Sequence, residues 1–183
     1  MRLAIGLGVL LIALSSCNQE NDIISQQKMD SLNAILENAQ LKLDSVDLKE
    51  IDWRIDSVVT DRDYLEMTFK DTLEREDAIA VGKYFGLVRS LENLKENRNR
   101  VADELTYTRQ QVRNLKNDLK SELVPDSMKT IYIDSETKAV GTIAESCGNL
   151  KTWYDICVIQ YADDRLKVLE IMERMSGEVT DSQ

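Results

Sequence analysis

The sequence predicts an all-α protein, an elongated antiparallel coiled coil or three-helix bundle, and three observations support this prediction. The chain has 183 residues, 31% of them charged, with one proline and seven glycines, a composition poor in turn formers and typical of long helices. Apolar residues recur at alternating spacings of three and four from Tyr84 to Leu119, the pattern of a coiled-coil seam. The same spacing recurs before and after this stretch, so the chain supplies partner helices for the seam.

The central helix is predicted over residues 84–123, and Val124-Pro125 disfavours its continuation. Arg98 lies inside the seam, where pairing with an acid of a neighbouring helix would fix the register. An exposed position at the seam's edge and ligand recognition are the alternatives for Arg98. The seam positions are Tyr84, Leu87, Leu91, Leu94, Arg98, Val101, Leu105, Thr108, Val112, Leu115, Leu119 and Glu122.

A first helix is predicted over residues 25–58. The phase of its apolar spacing changes between Val46 and Leu48, which indicates a stutter or slight bend in one continuous helix. Thr60 or Asp61 is the predicted N-cap of the following segment. The apolar positions are Met29, Leu32, Leu36, Ala39, Leu43, Val46, Leu48, Ile51, Ile55 and Val58.

Gly82 and Gly86 lie four residues apart, and therefore on one helical face. This spacing predicts a tight helix crossing or a bend. A notch of small residues where a partner docks is the alternative, which makes both glycines candidate interaction residues.

The last helix is predicted to begin at Asp134 or Ser135, after a connection of about a dozen residues. Cys147 and Cys157 lie on its seam, ten residues apart, or about 15 Å along an unbroken helix. They are predicted to be buried thiols. A Cys147–Cys157 disulfide on a broken helix and an intermolecular bridge are the alternatives. The seam positions are Ile143, Cys147, Leu150, Tyr154, Cys157, Tyr161, Asp164, Val168, Ile171 and Met175.

Composition also argues against several classes of function. The formal net charge is −10 and the chain has no histidine. Clustered positive charge for a nucleic-acid partner is therefore missing, as are the usual neutral-pH base and the commonest transition-metal ligand. No phosphate loop, nucleophile elbow or calcium loop appears in the sequence. We expect no enzyme activity, catalytic residue, metal or cofactor.

The N-terminus begins with Met1-Arg2, continues with an apolar run over residues 3–14 and ends in Ser15-Ser16-Cys17. The run is too short to span a bilayer and is typical of a signal peptide. Leu14-Ser15-Ser16-Cys17 resembles the lipobox of bacterial lipoproteins. The resemblance implies cleavage before Cys17, acylation of Cys17 with fatty acids such as palmitate, and anchoring in a membrane of the cell envelope. An ordinary secretory signal and an uncleaved short anchor are the alternatives.

In the lipoproteins of enteric bacteria an aspartate directly after the cysteine causes retention at the inner membrane. Asn18 occupies this position, so the resemblance implies the outer membrane and leaves open whether the protein faces the periplasm or the cell surface. The predicted organisation is a signal peptide over 1–16, the lipidated cysteine and a polar tether over 17–27, a helical bundle over 28–177 and a disordered tail over 178–183.

The expected function is that of a lipid-anchored helical scaffold, tether or adaptor acting through protein–protein contacts near Gly82 and Gly86 or residues 125–134. The alternative is a binding module that takes a small ligand or peptide in a groove near Arg98, Tyr154 and Tyr161. Self-association into a longer coiled coil also stays open, because heptads alone do not say whether the partner helix belongs to the same chain.

Overall fold

The computed structural model describes residues 4–68 and 73–181, with side chains for residues 23–68 and 73–177. The described part contains four helices in the order α1 (Ala4–Asp44), α2 (Leu48–Thr68), α3 (Arg75–Lys120) and α4 (Asp126–Asp181). It contains no strand. The predicted all-α helical bundle is confirmed.

The chain forms two compact units. Unit 1 comprises Met1–Leu41 and Ala102–Cys147, and unit 2 comprises Lys42–Val101 and Gly148–Gln183. Unit 1 therefore contains most of α1, the C-terminal part of α3 and the start of α4. Unit 2 contains α2, the N-terminal part of α3 and the rest of α4.

Unit 1 packs three helical segments around a mostly aliphatic core. α3 runs antiparallel to α1, because Asp30 bonds to Lys116 whereas the later Gln40 bonds to the earlier Arg109. Within this unit the predicted seam positions of α3 and α4 are buried, except Glu122, which is exposed and lies beyond the end of α3. The buried apolar residues of unit 1 are Met29, Leu32, Leu36, Ala39, Leu105, Val112, Leu115, Leu119, Val124, Ile133, Val140, Ile143 and Cys147.

Unit 2 follows the same three-helix plan. α2 and α4 run parallel, because the bonded pairs Glu50–Tyr154, Ser57–Tyr161 and Asp61–Arg165 are all separated by 104 residues. The buried apolar residues are Leu43, Val46, Ile51, Val58, Leu65, Val81, Tyr84, Leu87, Leu91, Leu94, Val101, Leu150, Tyr154, Cys157, Tyr161, Val168, Ile171 and Met172. Unlike unit 1, this core also contains several charged side chains.

The single helix predicted over residues 25–58 is wrong. α1 ends at Asp44 and α2 begins at Leu48. Asp47 caps α2, since its Oδ1 accepts hydrogen bonds from the backbone N–H groups of Lys49 at 2.8 Å and Glu50 at 3.3 Å. The cap satisfies donors that have no partner inside the helix. The phase change after Val46 therefore marks a helix break.

The N-cap predicted at Thr60 or Asp61 is also wrong. α2 continues to Thr68, the Thr60 hydroxyl donates to the Asp56 carbonyl within the helix, and Asp61 is buried. α3 begins at Arg75, before the start predicted at Tyr84, and residues 69–72 lie outside the described part.

The connection between α3 and α4 is shorter than predicted, because α4 begins at Asp126 and Asp134 and Ser135 lie inside it. Glu122 has a φ of 55°, and the N–H groups of Glu122 and Leu123 donate to the carbonyls of Leu119 and Asp118. This is a Schellman motif with glutamate at the left-handed position that glycine usually occupies.

At the chain's ends, residues 17–27 of the predicted tether belong to α1, and residues 178–181 of the predicted tail belong to α4. Residues 1–3 and 182–183 lie outside the described part.

Candidate functional site

A group of polar and aromatic side chains, here called the polar cluster, lies in the core of unit 2. Its members on α2 are spaced by four, three and four residues, so they share one helical face. Those on α4 face them in the parallel register described above. The polar cluster consists of Glu50, Arg54, Ser57, Asp61, Tyr84, Tyr154, Tyr161 and Arg165.

Asp61 links all three helices of unit 2. The Tyr84 hydroxyl donates to Asp61 Oδ2 at 2.6 Å, and Arg165 Nε donates to the same oxygen at 3.1 Å. Burial, together with the hydrogen bond to Asp61, raises the pKa of Tyr84. The hydrogen bond to Asp61 raises the pKa of Arg165. Tyr84 therefore stays protonated, and Arg165 stays charged, beside the Asp61 carboxylate.

Glu50 forms the second node of the polar cluster. The Tyr154 hydroxyl donates to Glu50 Oε2, and Arg54 Nη2 donates to Oε1 at 2.8 Å. These hydrogen bonds, first that from Tyr154 and then that from Arg54, lower the pKa of Glu50. Burial, followed by the bond to Glu50, raises the pKa of Tyr154 to about 12. At neutral pH the pair is therefore a carboxylate and an intact phenol.

Arg54 is buried between aromatic rings. Its guanidinium carbon lies 5.2 Å from the ring centroid of Tyr161 and 5.8 Å from that of Trp53, distances at which cation–π attraction acts. The Tyr161 hydroxyl donates to Ser57 Oγ at 2.9 Å. The Nε atom of Arg54 is buried without a hydrogen-bond partner.

The polar cluster holds its own members together and presents no group tuned for proton transfer at neutral pH. The pKa shifts of Glu50, Tyr84 and Tyr154 all move away from neutrality, whereas a general acid or base works best with a pKa near the working pH. The polar cluster is therefore best described as a network that fixes the packing of α2 against α3 and α4.

Gly82 and Gly86 lie on an exposed face of α3. A Cβ added at either position would have no described atom within 4 Å, and α3 is helical throughout this stretch. The predicted tight helix crossing is therefore wrong for the described residues. Both glycines remain candidate interaction residues, because their face is open.

Arg98 is half-buried, and its Nε atom has no hydrogen-bond partner. Within the described residues Arg98 makes no ion pair with an acid. The predicted register-fixing pair at Arg98 is therefore wrong, and that arrangement occurs instead at Asp61 and Arg165.

Cys147 and Cys157 are both buried, and α4 continues without a break between them. In the described part of the chain neither cysteine forms a disulfide. The alternative of a bridge on a broken helix is thus wrong, because Gly148 and Asn149 do not interrupt α4. Burial raises the pKa of the Cys157 thiol, which lowers its reactivity.

Two of the open cavities of unit 1 lie near Ile23 and Ser25 of α1. One, of about 540 Å³, is lined by Ile23, Gln27, Lys116, Leu119, Lys120 and Glu122 among others. The other, of about 350 Å³, is lined by Ile24, Ser25, Lys28, Asp126, Lys129 and Ile133 among others. Each lining mixes cationic and acidic side chains, so neither cavity offers an anion or a cation a consistent environment.

Among the residues described, no group of three acids or cysteines could hold a metal ion. No described helix is both long and apolar enough to cross a membrane. Cys17 is a residue of α1. The structure describes side chains only from residue 23 onwards in this helix, and the Cys17 side chain lies outside that range.

Comparisons with protein-family models, with curated proteins and with solved structures give no match for this chain.

The sequence identified Tyr154 and Tyr161 but not their partners. The spacing along single helices does not show that Arg54, Asp61, Tyr84 and Arg165 form one group. The available signal was the spacing of Glu50, Arg54, Ser57 and Asp61, which places four polar residues on one face beside the apolar stripe of Ile51 and Val58.

Proposed function

We propose that the protein is a lipid-anchored protein of the bacterial envelope that acts as a helical scaffold, tether or adaptor through protein–protein contacts. The observation that carries the proposal is the sequence Leu14-Ser15-Ser16-Cys17 at the end of a short apolar run. Acylation of Cys17 with several chains would hold the protein stably at a membrane, since each buried CH₂ contributes about 0.8 kcal/mol.

The continuity of α1 supports the tether. α1 spans Ala4–Asp44, so the same helix contains Cys17 and the buried residue Met29 of unit 1. The twelve helical steps from Cys17 to Met29 correspond to roughly 18 Å of helix. A helical connection transmits position better than a flexible linker of equal length, which suits a protein that presents a surface at a set distance from its anchor.

The polar cluster supports the scaffold. Its hydrogen bonds join α2 to α3 and α4 in one register, and polar core contacts of this kind specify one arrangement among the several that apolar packing allows. A fixed core keeps the exposed helix faces in a constant geometry, which is what a scaffold requires.

The alternative function, a ligand or peptide groove near Arg98, Tyr154 and Tyr161, gains less support. The hydroxyls of Tyr154 and Tyr161 are bonded to Glu50 and Ser57. A ligand would have to break these bonds before it could use either hydroxyl.

The anchor is tested by expressing the full chain in a bacterium fed an alkyne-labelled fatty acid. We expect label on the wild-type protein and none on Cys17→Ser. Cys147→Ser and Cys157→Ser are matched controls that keep the label. Labelling of Cys17→Ser, or none of the wild type, would contradict the lipid anchor.

The adaptor role is tested by affinity purification from gently cross-linked, detergent-solubilised envelopes, with Cys17→Ser as the control. We expect one dominant partner that depends on the anchor. Recovery of only the protein itself would contradict the adaptor role and indicate self-association.

A further inference from the structure

The outer face of α4 in unit 2 carries a row of exposed aliphatic side chains. The exposed fractions are 55% for Ile156, 62% for Ile159, 60% for Leu166 and 41% for Leu169. Ala162 is also exposed and lies between Ile159 and Leu166. We call these five residues the outer stripe.

The outer stripe lies opposite the core-facing side of α4. Successive residues of a helix are rotated by about 100°, which puts the outer stripe roughly half a turn from Tyr154, Tyr161 and Val168, all buried. Its residues follow spacings of three and four, so α4 has a second seam over about 20 Å. Aliphatic side chains arranged contiguously on a surface mark an interaction site, whereas singly scattered ones do not.

Acidic side chains surround the outer stripe. Asp155, Asp163, Glu170 and Glu173 are all exposed along the same part of α4. Asp155 is paired with Lys151 at 2.5 Å. The other three acids make no ion pair within the described residues.

The nearby cations are already engaged. Lys167 pairs with the buried Asp164 at 3.7 Å, and Arg174 pairs with Asp77 of α3. The outer stripe therefore combines an apolar centre with an acidic border.

We infer that the outer stripe is the docking surface for a basic amphipathic helix of a partner protein. The apolar face of that helix would cover Ile156, Ile159, Leu166 and Leu169, and its flanking lysines or arginines would meet Asp163 and Glu170. This is the helix-on-helix mode in which apolar anchors give affinity and flanking charges choose the partner. The inference rests on the proposed role in protein–protein contact, and it does not depend on lipidation of Cys17.

Charge argues against two other occupants. A second copy of α4 would bring its own Asp163 and Glu170 beside the same acids, and like charges along a helix interface are destabilising. An anionic lipid surface would be repelled by the same border, since helices that lie on membranes carry lysine and arginine around their apolar face.

The test measures binding of a fluorescent peptide to the full chain in mild detergent by anisotropy. The probe is an amphipathic helix of about 20 residues with leucines at alternating three- and four-residue spacing and lysines on both flanks. A second peptide has glutamate in place of each lysine. Circular dichroism melts check that every variant folds.

The apolar contribution is tested by Ile159→Gln with Leu166→Gln. We expect the Kd for the lysine peptide to rise by about tenfold or more. The matched control is Ile35→Gln with Leu41→Gln, which removes two exposed aliphatic side chains from α1 and should leave the Kd unchanged.

The charge contribution is tested by Asp163→Lys with Glu170→Lys, which should transfer the preference to the glutamate peptide. Glu37→Lys with Asp103→Lys changes the net charge equally at exposed positions of unit 1 and should keep the original preference. Equal effects of a pair and its control would overturn the inference, because they would indicate general attraction to an acidic protein.

Two other results would also overturn the inference. One is the absence of binding to the lysine peptide. The other is a wild-type dimer in sedimentation that Ile159→Gln with Leu166→Gln dissociates, since a second copy would then occupy the outer stripe. Capture of an envelope partner that does not need the outer stripe would leave the proposed function standing while this inference fails.

Discussion

Units 1 and 2 are built from the same alternating three- and four-residue pattern, yet their cores differ. Among the described residues, the buried Thr108 of unit 1 bonds only to a carbonyl of its own helix, at 2.9 Å. In unit 2, the buried Asp61 bonds to side chains of two other helices. The same seam pattern therefore gives an aliphatic core in one unit and a hydrogen-bonded core in the other.

This difference shows which part of the packing each kind of residue determines. Aliphatic side chains favour burial but accept several registers, because dispersion is not directional. The bonds of Glu50 to Tyr154 and of Asp61 to Arg165 are lost if α4 shifts by one turn along α2. In unit 2 the register is therefore specified by individual contacts within the core.

The largest change in stability is expected when a substitution removes the centre of the polar cluster. Asp61→Ala should reduce the free energy of unfolding by about 3 kcal/mol, because it leaves Arg165 and the Tyr84 hydroxyl without their acceptor. Urea unfolding followed by circular dichroism measures the loss. Asp63→Ala, which removes an exposed partner of Arg62, is the control and should change stability by less than about 0.5 kcal/mol. A loss below about 1 kcal/mol for Asp61→Ala would mean that unit 2 does not depend on the polar cluster.

The sequence could predict which positions of α3 and α4 face a core, because burial of an apolar stripe depends only on the helical period. It predicted Leu91, Val112 and Val168 as seam positions, and all three are buried. It could not predict that Asp61 meets Tyr84 and Arg165. That contact depends on the register between helices far apart in the chain, which the spacing along one helix does not contain.

The break between α1 and α2 was predictable from local chemistry that the apolar pattern obscured. Asp47 precedes Glu50 by three residues, the spacing of an N-cap and its third helical residue. Gly82 and Gly86 are the opposite case, because their local pattern suggests a contact that the structure does not contain. Gly82 and Gly86 have the spacing of a close helix contact, but whether a neighbour approaches is a property of the tertiary structure.

A smaller effect is expected at Glu136, a half-buried acid of unit 1. Its Oε2 atom has no hydrogen-bond partner, and burial raises its pKa above the ordinary value of 4.5. The folded chain therefore binds this proton more tightly than the unfolded chain, and stability falls as the pH rises through the folded-state pKa. At neutral pH Glu136→Gln should increase the free energy of unfolding by about 1 kcal/mol.

The pH dependence shows whether the Glu136 carboxylate causes the gain in stability or whether glutamine stabilises the fold at every pH. The advantage of Glu136→Gln should disappear below pH 4.5, where wild-type Glu136 is protonated in both states. Urea titrations at a series of pH values measure it, with the exposed Glu145→Gln as the control on the same helix. An advantage that is constant with pH would argue against an unpaired carboxylate in the aliphatic core of unit 1.

A substitution in the turn after α3 should increase the stability of unit 1 without any change to its core. Glu122 has a φ of 55°, a conformation that costs a residue with a Cβ roughly 1 kcal/mol and glycine almost nothing. Glu122→Gly should therefore raise the free energy of unfolding by up to about 1 kcal/mol. Glu96→Gly, at an exposed position inside α3, should lower it by about the same amount. Equal losses for both variants in thermal melts would contradict the left-handed conformation of Glu122.

The last comparison takes one buried or half-buried hydroxyl from each unit. Thr108→Val in unit 1 should be neutral or stabilise by about 0.5 kcal/mol, because the hydroxyl bonds only to the Glu104 carbonyl of its own helix and a methyl group packs in its place. Ser57→Ala in unit 2 should cost about 1 kcal/mol, because the Tyr161 hydroxyl loses its acceptor on α2. Urea unfolding of both variants side by side measures the difference. If Thr108→Val costs as much as Ser57→Ala, hydroxyls on the seam stabilise both units alike, and the contrast between an aliphatic core and a hydrogen-bonded core does not extend to stability.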